Sequence, residues 1–347
     1  MINVKTYGAV GDGLKDDTQA FKQAIDSAAG EFVEVPPGRY VIESVTTDKP
    51  IKLVGSGWQA SMIKSQKPDQ DVFTTTSTGQ CFIEKLGFFS TTPRTGGAYV
   101  KFDTAQGYNF GSRISDCNFD SAFTGINFVD AAGWVISGCY FTSYKTAVQV
   151  ANKNLPDAGD SSITESIFDA GNAQGIGVLQ NSSGGLRITN NKFLNGTYHY
   201  LGEFDSASST SILVVSGNSF EWASACNMAL NSRNLTTFGL VVVDGNEFSI
   251  SPSASGLLLQ DPGYDFLNTV MIGNNVLNQS AQSIGLNLVR GRTITVNTNT
   301  FAGNGTGTTG MAFGGKVGSA YVLPQNMQNI TTKYTGVSSK IVFPVKP

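Results

Sequence analysis

Hydrophobic residues in this chain recur in short phrases, with helical spacing confined to one early segment. From residue 114 a six-residue phrase repeats: ISDCNF ending at Phe119, ISGCYF at Phe141, ITESIF at Phe168, ITNNKF at Phe193, VSGNSF at Phe220, VDGNEF at Phe248, IGNNVL at Leu277 and VNTNTF at Phe301. The intervals are 22, 27, 25, 27, 28, 29 and 24 residues, and a degenerate copy, IEKLGF, ends at Phe88. Each phrase opens on a β-branched residue, holds a small or amide residue in its middle and closes on a large apolar one. A second apolar segment follows each phrase, as in GINFVD, AVQVAN and GLLLQD, and a third precedes the next, as in SILVV and GLVVV. Three short strands in about 25 residues, with no crossover helix, predict one coil of a right-handed, single-stranded parallel β-helix in an all-β protein. A β-propeller needs blades of about 40–45 residues, so the period excludes it.

Stacking the phrases puts Cys117, Cys139, Ser166, Asn191, Asn218, Asn246, Asn275 and Asn299 in one column. Interior asparagines in such a column bond amide to amide along the stack, and a buried cysteine is a small substitute. The cysteines therefore read as packing, since no CxxC pair occurs and His199 is the single histidine.

The helical segment lies in YGAVGDGLKDDTQAFKQAI, Tyr7 to Ile25. Asp16 with Gln19 has capping-box spacing, and Phe21, Ala24, Ile25 and Ala28 form an apolar stripe at helical period. An open β-helix end exposes unpaired strand edges and core, and a short amphipathic helix is a suitable plug. The expected organisation is one domain, 1–347, with a cap over 1–31, coils over 32–315 and a closing segment over 316–347.

This opening, followed by VEVPPGRYVI and IKLVGSG, resembles the start of the pectate-lyase-like β-helix superfamily, with phage tailspike depolymerases as the nearest type. The resemblance covers about the first 57 residues and implies a polysaccharide lying along the coils. It also implies a homotrimer and an extracellular or virion-associated setting. Motifs of other branches are missing: no Gly-His-Gly or Arg-Ile-Lys of the polygalacturonase type occurs, and no run of Asp accompanies Arg187, Arg233, Arg290 or Arg292 as a calcium-dependent lyase requires.

Composition narrows the partners. Charged residues are 14%, the formal charge is −3 and the 23 Lys and Arg are scattered, which argues against nucleic acid. No run of 18 apolar residues occurs and the N-terminus lacks a signal-peptide pattern, which argues against membrane insertion. No cofactor or metal set is evident.

Glycoside hydrolysis needs two carboxylates flanking the scissile bond. Aligning the second strands puts Asp130, Asn152, Asn181, Asp205, Ser232 and Asp261 in a column at the strand end. Asp205 and Asp261 then stand roughly 10 Å apart across Ser232, which suits an inverting pair. Glu203 and Glu221 are the substitute acids. Glu203 falls in a column of inward residues, which expects either a one-residue slip or a desolvated acid. Trp222, Tyr200, His199, Arg233 and Tyr264 are the candidates for holding sugar, aromatics by stacking. The expected function is a polysaccharide depolymerase of glycoside-hydrolase type acting on bacterial surface polysaccharide, with a lyase or a non-catalytic glycan-binding β-helix as alternatives.

Overall fold

The computed structural model describes residues 1–344 apart from 105–106, 152–158, 172–173, 182–183, 205–211, 233–236, 261–264 and 305. Among the described residues it is all-β with one α-helix, a right-handed parallel β-helix. The chain forms two compact units, Met1–Gly175 and Ile176–Pro347.

In the first unit the helix Thr18–Ala28 buries Phe21, Ala24, Ile25 and Ala28, the stripe its periodicity predicts. Phe21 seats against Tyr40 and Phe73, with ring centroids 5.2 and 6.0 Å away. The helix starts one residue later than expected, with Asp17 at the N-cap. Asp17 makes no capping bond; its buried carboxylate accepts the Val10 and Gly11 amides at 2.7 and 3.2 Å and closes the preceding loop. Asp16 instead accepts the Thr18 amide at 2.9 Å.

Each coil of this unit contributes three parallel strand positions. Arg113–Ser115 pairs with Val135–Ser137, Asn118–Asp120 with Tyr140–Thr142, and Thr124–Val129 with Thr146–Ala151. Stacking like on like sets the core: Phe88, Phe119, Phe141 and Phe168 form a column with successive centroids 4.9, 4.9 and 4.7 Å apart. That spacing matches the strand-to-strand distance, so each ring rests on the previous coil's equivalent. Burying a Phe side chain contributes about 1.5–3 kcal/mol, which makes this column a main source of stability. Cys117 and Cys139 are buried free thiols in the neighbouring column, and the Cys139 amide donates to Ser166 Oγ at 3.1 Å.

The second unit repeats the pattern with amides in that column. Asn191 Nδ2 donates to Asn218 Oδ1 at 3.0 Å, Asn218 to Asn246 at 3.0 Å, Asn246 to Asn274 at 3.0 Å, Asn274 to Asn299 at 2.9 Å and Asn299 to Gln325 Oε1 at 3.2 Å. Each acceptor oxygen also takes the preceding rung's backbone amide, as Asn246 Oδ1 does from Asn218 N at 3.0 Å. Each Nδ2 also donates to a backbone carbonyl, as Asn246 does to Val215 O at 2.9 Å. These amides satisfy backbone groups that the bend between strands leaves without a sheet partner. Gly217 at the bend has φ +67, and a Cβ there would approach Asn190 Oδ1 to 2.6 Å.

One rung differs from the sequence alignment: the ladder uses Asn274, not Asn275, and Val276 pairs with Phe248 and Phe301 where Leu277 was expected. Val276 is too small to mark the phrase end, and Asn274-Asn275 offers two amides, so the alignment slipped by one. Beyond residue 316, the strand Thr309–Val322 continues into short strands at Asn326–Gln328, Thr332–Thr335 and Ile341–Val342.

Candidate functional site

Of the expected acids, Asp205 and Asp261 lie outside the described residues, as do the candidate sugar contacts Arg233 and Tyr264. Glu203 is described, and its register decides between the two expectations. Gly202 pairs with Leu230 and Glu203 with Asn231, which in turn pairs with Gln260. The strand has slipped by one, so Gly202 takes the inward column and Glu203 is partly exposed. Phe204 is fully buried, and a Cβ on Gly202 would come within 2.6 Å of its ring, which is why glycine stands there.

Glu221 belongs to the other sheet, in the strand Ser219–Ala223. Its Oε1 accepts Ser219 Oγ at 3.1 Å and faces Lys192 Nζ at 3.3 Å. Glu203 lies six residues beyond the corner residue Thr197, roughly 20 Å of extended strand, so the two glutamates do not share a groove.

His199 and Tyr200 are corrections: both side chains are fully buried and neither reaches a polymer outside the coils. His199 is stacked between Phe193 and Phe220 at 5.8 and 5.9 Å, and its Nε2–H donates to Asn195 O at 2.7 Å. Burial pulls its pKa down to about 4, against which bonds to the Asn195 and Glu221 backbone act upward. Tyr200 donates its hydroxyl to Gln180 Oε1 at 2.8 Å, and burial raises its pKa. Strand alternation turns these neighbours to opposite faces, but both faces are covered here, His199 through Gly202 being buried without a break, and the aromatic column of the core claims the imidazole.

Trp222 does face solvent, with 42% of its surface exposed and φ +66. It sits in a bulge, since Glu221 pairs with Ser249 and Ala223 with Ile250. The equivalent corner one coil earlier is Asn195, also left-handed at φ 58, a conformation asparagine tolerates far better than an aromatic residue. The strain is spent on turning an indole outward.

In the first unit the corresponding corners line a cleft of about 510 Å³. Its lining includes Arg94, Ser121, Ser143, Tyr144, Lys145 and Gln174. Ser121 and Ser143 occupy successive left-handed corners with φ 55 and 52. Arg94, 8% exposed, holds the wall: its guanidinium donates to the carbonyls of Lys67, Gln70 and Gly96 and to Ser65 Oγ. Its centre lies 4.8 Å from the Tyr99 ring, and burial lowers its pKa, with Tyr99, Asp71 and Asp69 acting the other way. Lys145 is exposed and holds its ammonium 4.5 Å over the Phe123 ring.

Immediately before these corners, Asp120, Thr142 and Asp169 pair in register on three successive coils. The two aspartates are therefore two coil spacings apart, roughly 10 Å. Thr142 Oγ1 donates to Asp120 Oδ1 at 2.8 Å, drawing that carboxylate toward the intervening coil and closing part of the gap. Ser121 Oγ donates to the same oxygen at 3.3 Å, and Asp169 Oδ1 accepts the Gly171 amide at 2.9 Å. Two carboxyls about 6.5–9.5 Å apart leave room for an inverting water.

Residues 1–96 match the family model for rhamnogalacturonase A/epimerase, pectate lyase-like. The surface adhesin PfbA of Streptococcus pneumoniae superposes with TM-score 0.69 at 17% identity, over 97% of this chain and 94% of that one. The A-module of mannuronan C-5 epimerase AlgE4 from Azotobacter vinelandii gives TM-score 0.67 at 13% identity, over 99% and 100%. What these superpositions share with the chain is the parallel β-helix fold. A tailspike protein of an Escherichia coli O157:H7 bacteriophage shares this β-helix with TM-score 0.55 at 12% identity, over 93% of this chain and 42% of that one. In sequence, the plasmin and fibronectin-binding protein A of Streptococcus pneumoniae is 48% identical over 48 residues, 13% of this chain and 7% of that protein. Mannuronan C5-epimerase AlgE2 of Azotobacter vinelandii is 38% identical over 82 residues, 20% and 8%. The matches thus span less than a tenth of these relatives' length.

Within this parallel β-helix, sequence reasoning missed the Asp120–Thr142–Asp169 column. The signal was present: NFD and IFD end two of the repeated phrases, one residue past the stacked phenylalanine.

Proposed function

We propose that the chain acts on an extended polysaccharide and cleaves it by hydrolysis. The observation that carries this reading is the in-register pair Asp120 and Asp169, two coil spacings apart with Thr142 between them and set beside the cleft. In an inverting hydrolysis one carboxylic acid protonates the leaving glycosidic oxygen while the other carboxylate takes a proton from the attacking water. Bacterial surface polysaccharide is the proposed substrate group and an extracellular or virion-associated setting the proposed location, in line with the tailspike and adhesin among the matched proteins. A homotrimer is the proposed assembly.

The test is a reducing-end assay run with 235 nm absorbance on a panel of bacterial capsular polysaccharides. New reducing ends without absorbance, reduced roughly 10²- to 10⁴-fold in Asp120→Asn or Asp169→Asn, are the expected result. Loss confined to Asp205→Asn and Asp261→Asn moves the chemistry to that pair, and a rise at 235 nm replaces hydrolysis by elimination. The similarity to PfbA favours a second reading, a β-helix that holds its ligand without cutting it, and binding with no cleavage across the panel selects that one.

A further inference from the structure

The charge pattern of the cleft in the first unit points to the class of sugar it takes. Among the described residues its lining carries two cations, Arg94 and Lys145, and no Asp or Glu. This stands out in a chain whose formal charge is −3. Among the described residues neither cation has an ion pair: the Arg94 guanidinium bonds the carbonyls of Lys67, Gln70 and Gly96 and the Ser65 hydroxyl, with Asp71 and Asp69 acting on it only at longer range, and the Lys145 ammonium rests on the Phe123 ring. Arg94 Nε is buried without a hydrogen-bond partner. The acids nearest in sequence are occupied, Asp120 by the Thr142 and Ser121 hydroxyls and Asp169 by the Gly171 amide.

The rest of the lining is suited to sugar. Ser121 and Ser143 stand one coil apart, roughly 4.8 Å, and offer hydroxyls that both donate and accept. Gln174 adds an amide at the rim, and Tyr144 forms an apolar floor with only 1% of its surface exposed. A fixed positive charge in the wall and a second on a movable stem recognise an anion well, because Lys145 exchanges a weak contact with a ring for a charge-assisted hydrogen bond.

We propose that this cleft is a subsite for an anionic sugar unit of an acidic polysaccharide, with Lys145 as the residue that selects it. The inference rests on the polysaccharide reading above but not on cleavage. The anion contacts Lys145 Nζ, the sugar hydroxyls bond Ser121, Ser143 and Gln174, and Arg94 supplies the background potential while holding the wall.

The experiment uses the full chain carrying Asp120→Asn and Asp169→Asn, so that binding is read without turnover. Isothermal titration compares polygalacturonate, the same polymer with its carboxyls reduced to alcohols, a sulfated dextran, a teichoic-type glycan phosphodiester, and inorganic phosphate alone. Expected is binding of at least one anionic polymer, about tenfold weaker in Lys145→Gln and weaker still in Lys145→Glu. Wherever a neutral counterpart of that polymer exists, it should bind weakly and be indifferent to either change. The arms separate carboxylate, sulfate and phosphodiester as the source of charge. Equal binding of charged and neutral polymers, an unchanged affinity in Lys145→Glu, or full competition by inorganic phosphate at the polymer's own concentration overturns the proposal. Lys145 is exposed, so its variants fold; Arg94 is left intact because three carbonyls depend on it. Anion-selective binding with no cleavage by the unmutated chain leaves this inference standing while the hydrolytic reading falls.

Discussion

The same column of the repeat is built from thiols and a hydroxyl in the first unit and from amides in the second. At Cys117 and Cys139 the Sγ atoms lie 3.2 to 3.7 Å from carbonyls of Ser115, Ile83, Ser137 and Ile114, contacts of a weak donor. From Asn218 to Gln325 each side-chain oxygen accepts both the backbone amide and the side-chain amide of the preceding rung, so each coil is tied to its neighbour by side chains as well as by sheet. A small apolar-like group suffices where large rings already fix the coil spacing, as in the continuous Phe88–Phe168 column. In the second unit the rings still stack from Phe193 through Phe220 to Phe248, at 5.0 and 5.2 Å, but the column is interrupted at the smaller Val276, and there the Asn246–Asn274 and Asn274–Asn299 bonds carry the coil spacing across the gap.

The sharpest way to break this contrast is Asn246→Leu. It leaves Val215 O and the Asn218 amide buried without partners and cuts two rungs, so a loss of about 3–5 kcal/mol is expected in a urea titration.

Next in size is a pH effect that belongs to the second unit. Unfolded His199 takes a proton near pH 6.5, whereas the buried ring does so only near pH 4. Between those values unfolding takes up a proton, so stability is full above about pH 6.5 and drains as the pH falls to about 4, by about 3 kcal/mol in all. His199→Phe, which keeps the stack with Phe193 and Phe220, should flatten this stretch of the stability profile measured by thermal melts.

Smallest is Cys139→Ala, expected to cost about 1 kcal/mol by the same titration, since only a weak donor and one sulfur's packing are lost. A loss as large as that of Asn246→Leu would mean that the two chemistries are equivalent and that the contrast is empty.

Much of this fold is legible before any coordinates. The phenylalanine column and the capping helix announce themselves because large apolar residues recur at one spacing and then at helical spacing, and both are buried where the pattern puts them. The amide column is legible except where Asn274 and Asn275 stand side by side and the closing residue shrinks to valine. Glu203 is harder, because YHYLGEF contains apolar residues at both parities and only pairing with Asn231 fixes which side faces out. The cleft is less legible still. Its wall comes from the loop around Arg94, in the stretch where the repeat is degenerate, and the carbonyls that hold this arginine carry no mark in the sequence.

The amide ladder also governs how such a chain can change length. Removing or duplicating a whole coil from one bend asparagine to the next puts an equivalent amide back on an equivalent carbonyl, whether the coil has 25 residues, as between Asn274 and Asn299, or 28, as between Asn246 and Asn274. Residues added on the outer turns between rungs leave the rungs aligned, while a single residue inserted between a bend and its asparagine rotates the amide off the stack. Descendants of this molecule should therefore differ in steps of a full coil or in the size of their outer turns, and keep the bends themselves unaltered in length.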